Sequence, residues 1–205
     1  MNNKAVAIID YDAGNIKSVQ KAVEYLGYET VVTREPKVLL DAGHVILPGV
    51  GSFGDAMEHL KHYDLIPVIH DIVKAKKPLM GICLGLQLLF EDSDETPGVE
   101  GLGILKGHIR KIPSAPGLKI PHVGWNSLNF PKNSKLFQGI PEESYVYFVH
   151  SYYLEAENPD VVAATTEYGV HIHAACEYGN IFACQFHPEK SSAIGLKIID
   201  NFLHT

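Results

Sequence analysis

Short apolar runs alternate with helix-period segments through the first half of the chain. The apolar runs are residues 5–9, 29–33, 44–47 and 78–82, and the helical pattern covers 15–26 and 53–76. Strands joined by helices favour parallel pairing, because a crossover helix returns the chain to the same end of the sheet. The alternation therefore predicts an α/β fold with an open, mostly parallel central sheet flanked by helices.

The second half is richer in predicted strands, and the chain closes on a predicted helix. The strands are residues 107–112, 145–149, 161–166 and 181–186, and the helix is 193–203. Neither a repeat nor a linker interrupts the 205 residues. We therefore expect a single domain covering residues 1–205.

Composition excludes several classes of protein. A hydrophobic content of 46% argues against disorder, and the net charge is −7, with Arg34 and Arg110 as the only arginines. Scarce arginine disfavours nucleic-acid binding, and no apolar run approaches the roughly 18 residues of a membrane span. Cys83, Cys176 and Cys184 lie far apart without a CxxC pair, so neither a disulfide framework nor a thiolate metal site is predicted. These features favour a reducing, cytoplasmic location with no membrane or nucleic-acid partner.

One cysteine lies where a buried strand meets a helix. Gly81 and Gly85 flank Cys83, in the pattern of a nucleophile elbow with sulfur in place of a hydroxyl. Small neighbours are needed because the nucleophile's backbone is strained and the facing turns approach closely. The start of the helix favours a thiolate, and the N–H of Leu84 points to where an oxyanion would form. We predict that Cys83 is a nucleophile.

A base and an orienting carboxylate follow the last predicted strand. In an extended segment His187 and Glu189 share a face, and Pro188 keeps His187 extended. Together with Cys83 they predict a Cys-His-Glu triad of nucleophile, base and orienting group.

The glycine-rich segment 48–54 follows the third strand and has the GxGxxG spacing. A dinucleotide site would place this motif in the first strand-to-helix turn, so its position after the third strand argues against nucleotide binding. The N–H of Val50 or Gly51 is predicted to be the second oxyanion donor.

Taken together, these motifs resemble the class I, triad-type glutamine amidotransferases over nearly the whole chain. Within that class, segments 48–53, 124–126, 147–152 and 187–191 resemble the glutaminase subunits of imidazole glycerol phosphate synthases. The departures are mild: Val123 and Leu86 stand where many relatives have methionine.

The resemblance implies that Cys83 attacks the side-chain amide of L-glutamine and that a thioester is then hydrolysed, with no cofactor and no metal. It also implies that Gly51, Gln87, Ser151 and Tyr152 bind the glutamine.

A partner is implied as well. In the resembling enzymes ammonia passes to a βα-barrel cyclase subunit, which makes imidazole glycerol phosphate and aminoimidazole carboxamide ribotide, and the two subunits form a heterodimer. The interface residues expected on this basis are Trp125, Asn126, Tyr147 and Lys190.

Several alternatives remain open at this point. The chain could be the glutaminase subunit of another synthase, a stand-alone cysteine hydrolase of the dienelactone-hydrolase type, or a non-catalytic binding module. A metal site at His171 and His173 is conceivable, although the sequence shows no third ligand.

Overall fold

The computed structural model describes residues 5–205. The strands are β1 (Val6–Ile9), β2 (Thr30–Thr33), β3 (His44–Leu47), β4 (Leu79–Ile82), β5 (Asp92–Ser93), β6 (Gly107–Lys111), β7 (His122–Ser127), β8 (Tyr145–His150), β9 (Tyr152–Ala156), β10 (Val162–Glu167), β11 (His171–Tyr178) and β12 (Ile181–Cys184). The helices are α1 (Ile16–Tyr25), α2 (Pro36–Asp41), α3 (Phe53–His62), α4 (Leu65–Lys74), α5 (Leu84–Leu88) and α6 (Ser192–Leu203), with short 3₁₀ helices at Pro159–Val161 and Pro188–Lys190.

Ten strands form one sheet in the order β2-β1-β3-β4-β12-β11-β9-β6-β5, with β10 paired to β11. The five strands from β2 to β12 are all parallel. Beyond β12, the sheet continues through antiparallel pairs of β11 with β12, β9 and β10, and of β9 with β6. The predicted α/β fold with a mostly parallel central sheet is confirmed, and an antiparallel extension is added to it.

The central parallel strands β1, β4 and β12 are fully buried, because helices cover both faces of the sheet. In β1, Ala7 and Ile9 pack with the core on the side of α2, α3 and α4. Val6 and Ile8 point the other way, into the core that α1 and α6 close. This arrangement places the core on the two sides of the parallel half.

Some elements differ from the sequence prediction. The helical segment 53–76 is two helices, α3 and α4, separated where Asp64 takes a left-handed conformation with φ of 52°. Strands β7, β9 and β11 and the six-residue helix α2 were not predicted. Strands β7 and β8 form a separate two-stranded antiparallel ribbon, called the ribbon below.

The carboxyl ends of β1, β3, β4 and β12 meet at one edge of the sheet because these strands are parallel. The loops that leave this edge carry Asn15, the glycine-rich segment, Cys83 and His187. Open α/β sheets bind ligands at this edge. None of the helices in residues 5–205 has the length and hydropathy needed to cross a membrane.

Candidate active site

Cys83 lies in the tight turn between β4 and α5, with φ of 54° and ψ of −107°. This is a strained backbone for a residue with a side chain. Both flanking glycines are required by close backbone approach: a Cβ at Gly81 would lie 2.6 Å from the Gly85 carbonyl oxygen, and one at Gly85 would lie 1.9 Å from the Leu47 oxygen. The turn therefore has the strained strand-to-helix geometry that the glycines predict.

His187 and Glu189 contact each other behind the cysteine. His187 Nδ1 lies 2.8 Å from Glu189 Oε1, and their side chains are 2% and 0% exposed. His187 has the extended conformation predicted from Pro188, but residues Pro188–Lys190 form a 3₁₀ helix and not an extended segment. The expected contact is present, and the reason given for it was wrong: the 3₁₀ turn folds the carboxylate back onto the imidazole.

The imidazole of His187 has a raised pKa. Burial works to lower this pKa, but hydrogen bonds to Cys83 and Glu189, together with the negative charges of both groups, outweigh burial and raise it to about 9. Since Nδ1 faces Glu189, Nε2 is the nitrogen available to the sulfur. His187 therefore keeps its proton at neutral pH.

Asn15 is a neighbour of the triad that the sequence analysis missed. Its Nδ2 donates to Glu189 Oε1 over 2.6 Å and lies 3.5 Å from His187 Nδ1. An asparagine before a helix usually caps it, yet Asn15 has a φ of 69° and makes no side-chain cap. The side chain is used instead to hold Glu189 in place, a tertiary contact with no local sequence signal.

A pocket of about 330 Å³ opens in front of Cys83. Its lining includes nine of the predicted site residues: Val50, Gly51, Cys83, Leu84, Gln87, Ser151, Tyr152, His187 and Lys190. Glu95, Pro121, Val149 and His150 also line it and were not predicted. Glu189 lies behind His187, outside the lining. The structure thus brings the catalytic, oxyanion and substrate-binding candidates to one pocket.

The predicted oxyanion donors are not free in this conformation. The N–H of Leu84 donates to the Gly49 carbonyl over 3.3 Å. In a trans peptide the C=O and N–H point in opposite directions, so the N–H of Val50 is directed away from Leu84. Gly51, with φ of 105°, adopts a conformation that favours glycine. Both donors are therefore unavailable while the Gly49–Val50 peptide keeps this orientation.

Gln87 is buried and has its own partners. Its Nε2 donates to the Tyr152 carbonyl over 3.3 Å and to Gln185 Oε1 over 3.0 Å. Gln185 in turn places its Nε2 3.7 Å from Cys83 Sγ. Gln185 is the second functional candidate that the sequence did not reveal. Its contact with Cys83 joins residues 102 positions apart and has no local sequence signal.

The expected interface residues separate into two groups. Trp125 pairs with Tyr147 on the outer face of the ribbon, with ring centroids 6.0 Å apart, and Trp125 is 50% exposed. Asn126 pairs with buried Val146 on the inner face, where its Nδ2 donates to the Glu167 carbonyl. Asn126 therefore lies on the opposite face of the ribbon from Trp125 and Tyr147, because alternate residues of a strand point to opposite faces.

The outer face of the ribbon carries further exposed apolar side chains, at Val123, Tyr145 and Val149. Val123 and Val149 are cross-strand partners, beside the Trp125–Tyr147 pair. Lys190 is exposed at the mouth of the pocket. The apolar outer face and the pocket meet at Val149, which belongs to both.

The possible metal site at His171 and His173 gains no support. His173 Nδ1 accepts the N–H of Ala156 over 3.0 Å, and His171 contacts Glu167. Within residues 5–205, clustered ligand atoms occur at Glu91, His108 and Glu157, and no third ligand joins the two histidines.

A cysteine at a strained turn, in one pocket with a histidine that a glutamate contacts, is the arrangement that thiol-dependent acyl transfer requires. The model of the family "Glutamine amidotransferase class-I" matches residues 7–205, so the chain belongs to this family. The predicted class and its enzymatic nature are confirmed.

Similar proteins within the family share one name. "Imidazole glycerol phosphate synthase subunit HisH" of Moorella thermoacetica is 48% identical over 199 residues, covering 97% of this chain and 94% of the relative. The protein of the same name from Thermosynechococcus vestitus is 49% identical over 206 residues, covering 99% and 98%. Both names denote a subunit of a larger synthase, and the predicted resemblance to this group is confirmed.

A solved structure described as a glutamine amidotransferase has the same fold. It superposes with a TM-score of 0.77 at 19% identity, over 98% of this chain and 97% of that one.

Proposed function

We propose that this chain is the glutaminase subunit of an imidazole glycerol phosphate synthase, which hydrolyses L-glutamine to L-glutamate and ammonia. The observation that carries the proposal is the buried His187, which contacts Glu189 over 2.8 Å and lines the same pocket as Cys83. Relatives of that name, similar over nearly their full length, supply the choice within the family.

The chemistry begins with the Cys83 thiolate, which attacks the side-chain amide carbon of glutamine. His187, protonated at neutral pH because its pKa is about 9, gives its proton to the departing nitrogen, and ammonia leaves. Water then attacks the γ-glutamyl thioester while His187 takes its proton, and the C–S bond breaks with its electron pair returning to sulfur. Glu189 holds the imidazole in the tautomer that both steps need.

Residues that line the pocket are proposed to bind the substrate. Glu95, whose Oε2 accepts the N–H of Phe53, provides a carboxylate for the α-ammonium group of glutamine. Gly51, Gln87, Ser151 and Tyr152 are proposed to position the rest of the substrate. A carboxylate in the lining suits the α-ammonium group of an amino acid.

The oxyanion site requires a rearrangement before it can work. Rotation of the Gly49–Val50 peptide would remove the Gly49 carbonyl from Leu84 and turn the N–H of Val50 into the pocket, so one motion supplies two donors. A stand-alone hydrolase has no reason to keep one donor occupied and the other turned away, which favours an enzyme that is gated by a partner.

The proposed partner is a βα-barrel cyclase subunit, in a heterodimer, which uses the ammonia. The outer face of the ribbon supports this proposal, because exposed Trp125 and Val123 share that face with Val149, which lines the pocket. Large aromatic anchors at the centre of a face are typical of protein interfaces. Tyr147 and Lys190 complete the proposed docking site.

Steady-state glutaminase assays with and without the cyclase subunit and its ligand test the proposal. We expect low turnover in the isolated chain and an increase of about 100-fold or more in the complex, the scale of losing one oxyanion donor. Equal turnover in both would remove the gating by the partner, and no glutamine hydrolysis in either would remove the proposed activity.

A further inference from the structure

We propose that Gln185 is a further catalytic residue, whose side-chain amide donates a hydrogen bond to the Cys83 thiolate and whose direction is set by Gln87. The inference rests on the proposed function. Gln185 is fully buried, and its Nε2 lies 3.7 Å from Cys83 Sγ. Water therefore cannot take the place of this donor.

The direction of the Gln185 amide follows from a carbonyl that can only accept. The Tyr152 carbonyl takes the N–H of Gln87 Nε2 at 3.3 Å, and the same NH₂ group donates to Gln185 Oε1 at 3.0 Å. Turning Gln87 over would bring two acceptors together at Tyr152, and turning Gln185 over would bring two NH₂ groups together. The remaining arrangement points the Gln185 NH₂ at the sulfur.

The Tyr152 carbonyl is held from its other side as well. His150 Nδ1 lies 2.8 Å from this oxygen and must donate to it, so His150 Nε2 is the acceptor for His122 Nδ1 at 3.0 Å. Burial lowers the pKa of His150 to about 3 and that of His122 to about 4, which keeps both rings neutral. The carbonyl that directs Gln87 is therefore saturated and fixed.

The amide acts beside His187 and not in place of it. The imidazolium gives its proton to the departing ammonia and takes one back from the attacking water, so its charge changes during each half-reaction. The Gln185 N–H is neutral and stays in place through both half-reactions. When water opens the thioester and the electron pair returns to sulfur, this donor stabilises the leaving thiolate, because hydrogen bonds to an ionised group are stronger than neutral ones.

The test is the pH profile of Cys83 alkylation by iodoacetamide in the isolated full chain, followed by mass spectrometry of the Cys83 peptide. The assay needs neither glutamine nor a partner, so its outcome is separate from the glutaminase assay. Gln185→Met keeps the buried volume and removes the donor. The titratable groups near Cys83 are all unchanged in this variant: His187, Tyr11 and Cys184, together with Glu95, His150, Tyr152 and Lys190 of the same pocket.

We expect Gln185→Met to move the midpoint of the alkylation profile upward by about one pH unit, which is about tenfold slower alkylation below the midpoint. Gln185→Glu should slow alkylation at neutral pH further, because it places an acceptor against the sulfur. Gln87→Met should give a smaller shift in the same direction.

The matched control is Thr166→Val, which removes a fully buried hydroxyl that has no hydrogen-bond partner. Its profile should match the wild-type profile. Circular dichroism and thermal unfolding show whether each variant is folded. If Gln185→Met does not fold, the alkylation profile of Gln185→Glu tests the proposal in its place. Folded Gln185 variants with the wild-type midpoint would overturn the inference, and so would an equal shift in the Thr166 control.

Discussion

His187 is the residue at which burial and charge compete most clearly in this site. Its folded-state pKa of about 9 is above the ordinary value of 6.5, so its contribution to stability is complete below pH 6.5 and is lost as the pH rises through 9. We expect the free energy of unfolding from urea titrations to fall between pH 6.5 and 9.5. In Glu189→Gln the fall should be smaller, because the charged partner of the imidazolium is gone. The same fall in both proteins would show that Glu189 does not hold the proton on His187.

At this scale the sequence predicts the residues whose motifs are contiguous. Cys83 between two glycines, and His187 two residues from Glu189, can be recognised because local backbone geometry determines their placement. Asn15 and Gln185 could not be found in this way. Each acts through a contact with a residue more than 100 positions away, and each has an ordinary local interpretation as a helix cap or a strand end.

Among the elements, the turn between β4 and α5 is the least tolerant of added atoms. A Cβ at Gly85 would overlap the Leu47 carbonyl oxygen, which is backbone and cannot move aside. We expect Gly85→Ala to lower the free energy of unfolding by about 3 kcal/mol or more. The control is Gly54→Ala in α3, where the new Cβ would meet only the Thr96 side chain. There the change should stay within about 1 kcal/mol, since alanine also favours the helix. Equal losses in the two variants by urea titration would refute the close-approach argument.

The ribbon is the element that presents the proposed docking face. We expect Trp125→Ala to weaken binding of the cyclase subunit by about 2 kcal/mol, or roughly 30-fold in Kd, because a half-exposed aromatic anchor is lost. The matched control is Tyr178→Ala. Tyr178 is 57% exposed, but it pairs with Ile181 at the start of β12, at the opposite end of that strand from His187. Isothermal titration calorimetry measures both. Unchanged affinity in Trp125→Ala, or an equal loss in the control, would move the interface away from the ribbon.

Elements in the parallel half are predicted more readily than those in the antiparallel half. Strands β1, β4 and β12 are buried along their whole length, and β3 is buried after His44, so each can be recognised in the sequence as an apolar run. Strand β7 has one exposed face and contains Gly124 and Asn126, so its pattern is that of a loop. The side of the ribbon on which Asn126 lies depends on register, which the sequence does not specify without the strand.

For the molecule as a whole, the parallel sheet gathers four loops at one edge and leaves the ribbon beside them. The triad, the glycine-rich loop and the outer face of the ribbon therefore meet at the pocket. We propose that a subunit docked there reorients the Gly49–Val50 peptide and receives ammonia. We propose that Cys83 serves only to release ammonia, which is used in chemistry carried out on another chain.

The most direct measurement is synthesis of imidazole glycerol phosphate by the complex carrying Cys83→Ala, with either glutamine or an ammonium salt as the nitrogen source. We predict no product from glutamine and wild-type levels from ammonium, with synthesis rising as the pH increases and more neutral ammonia becomes available. Product from glutamine in the Cys83→Ala complex, or no product from ammonium with a folded partner, would contradict the account.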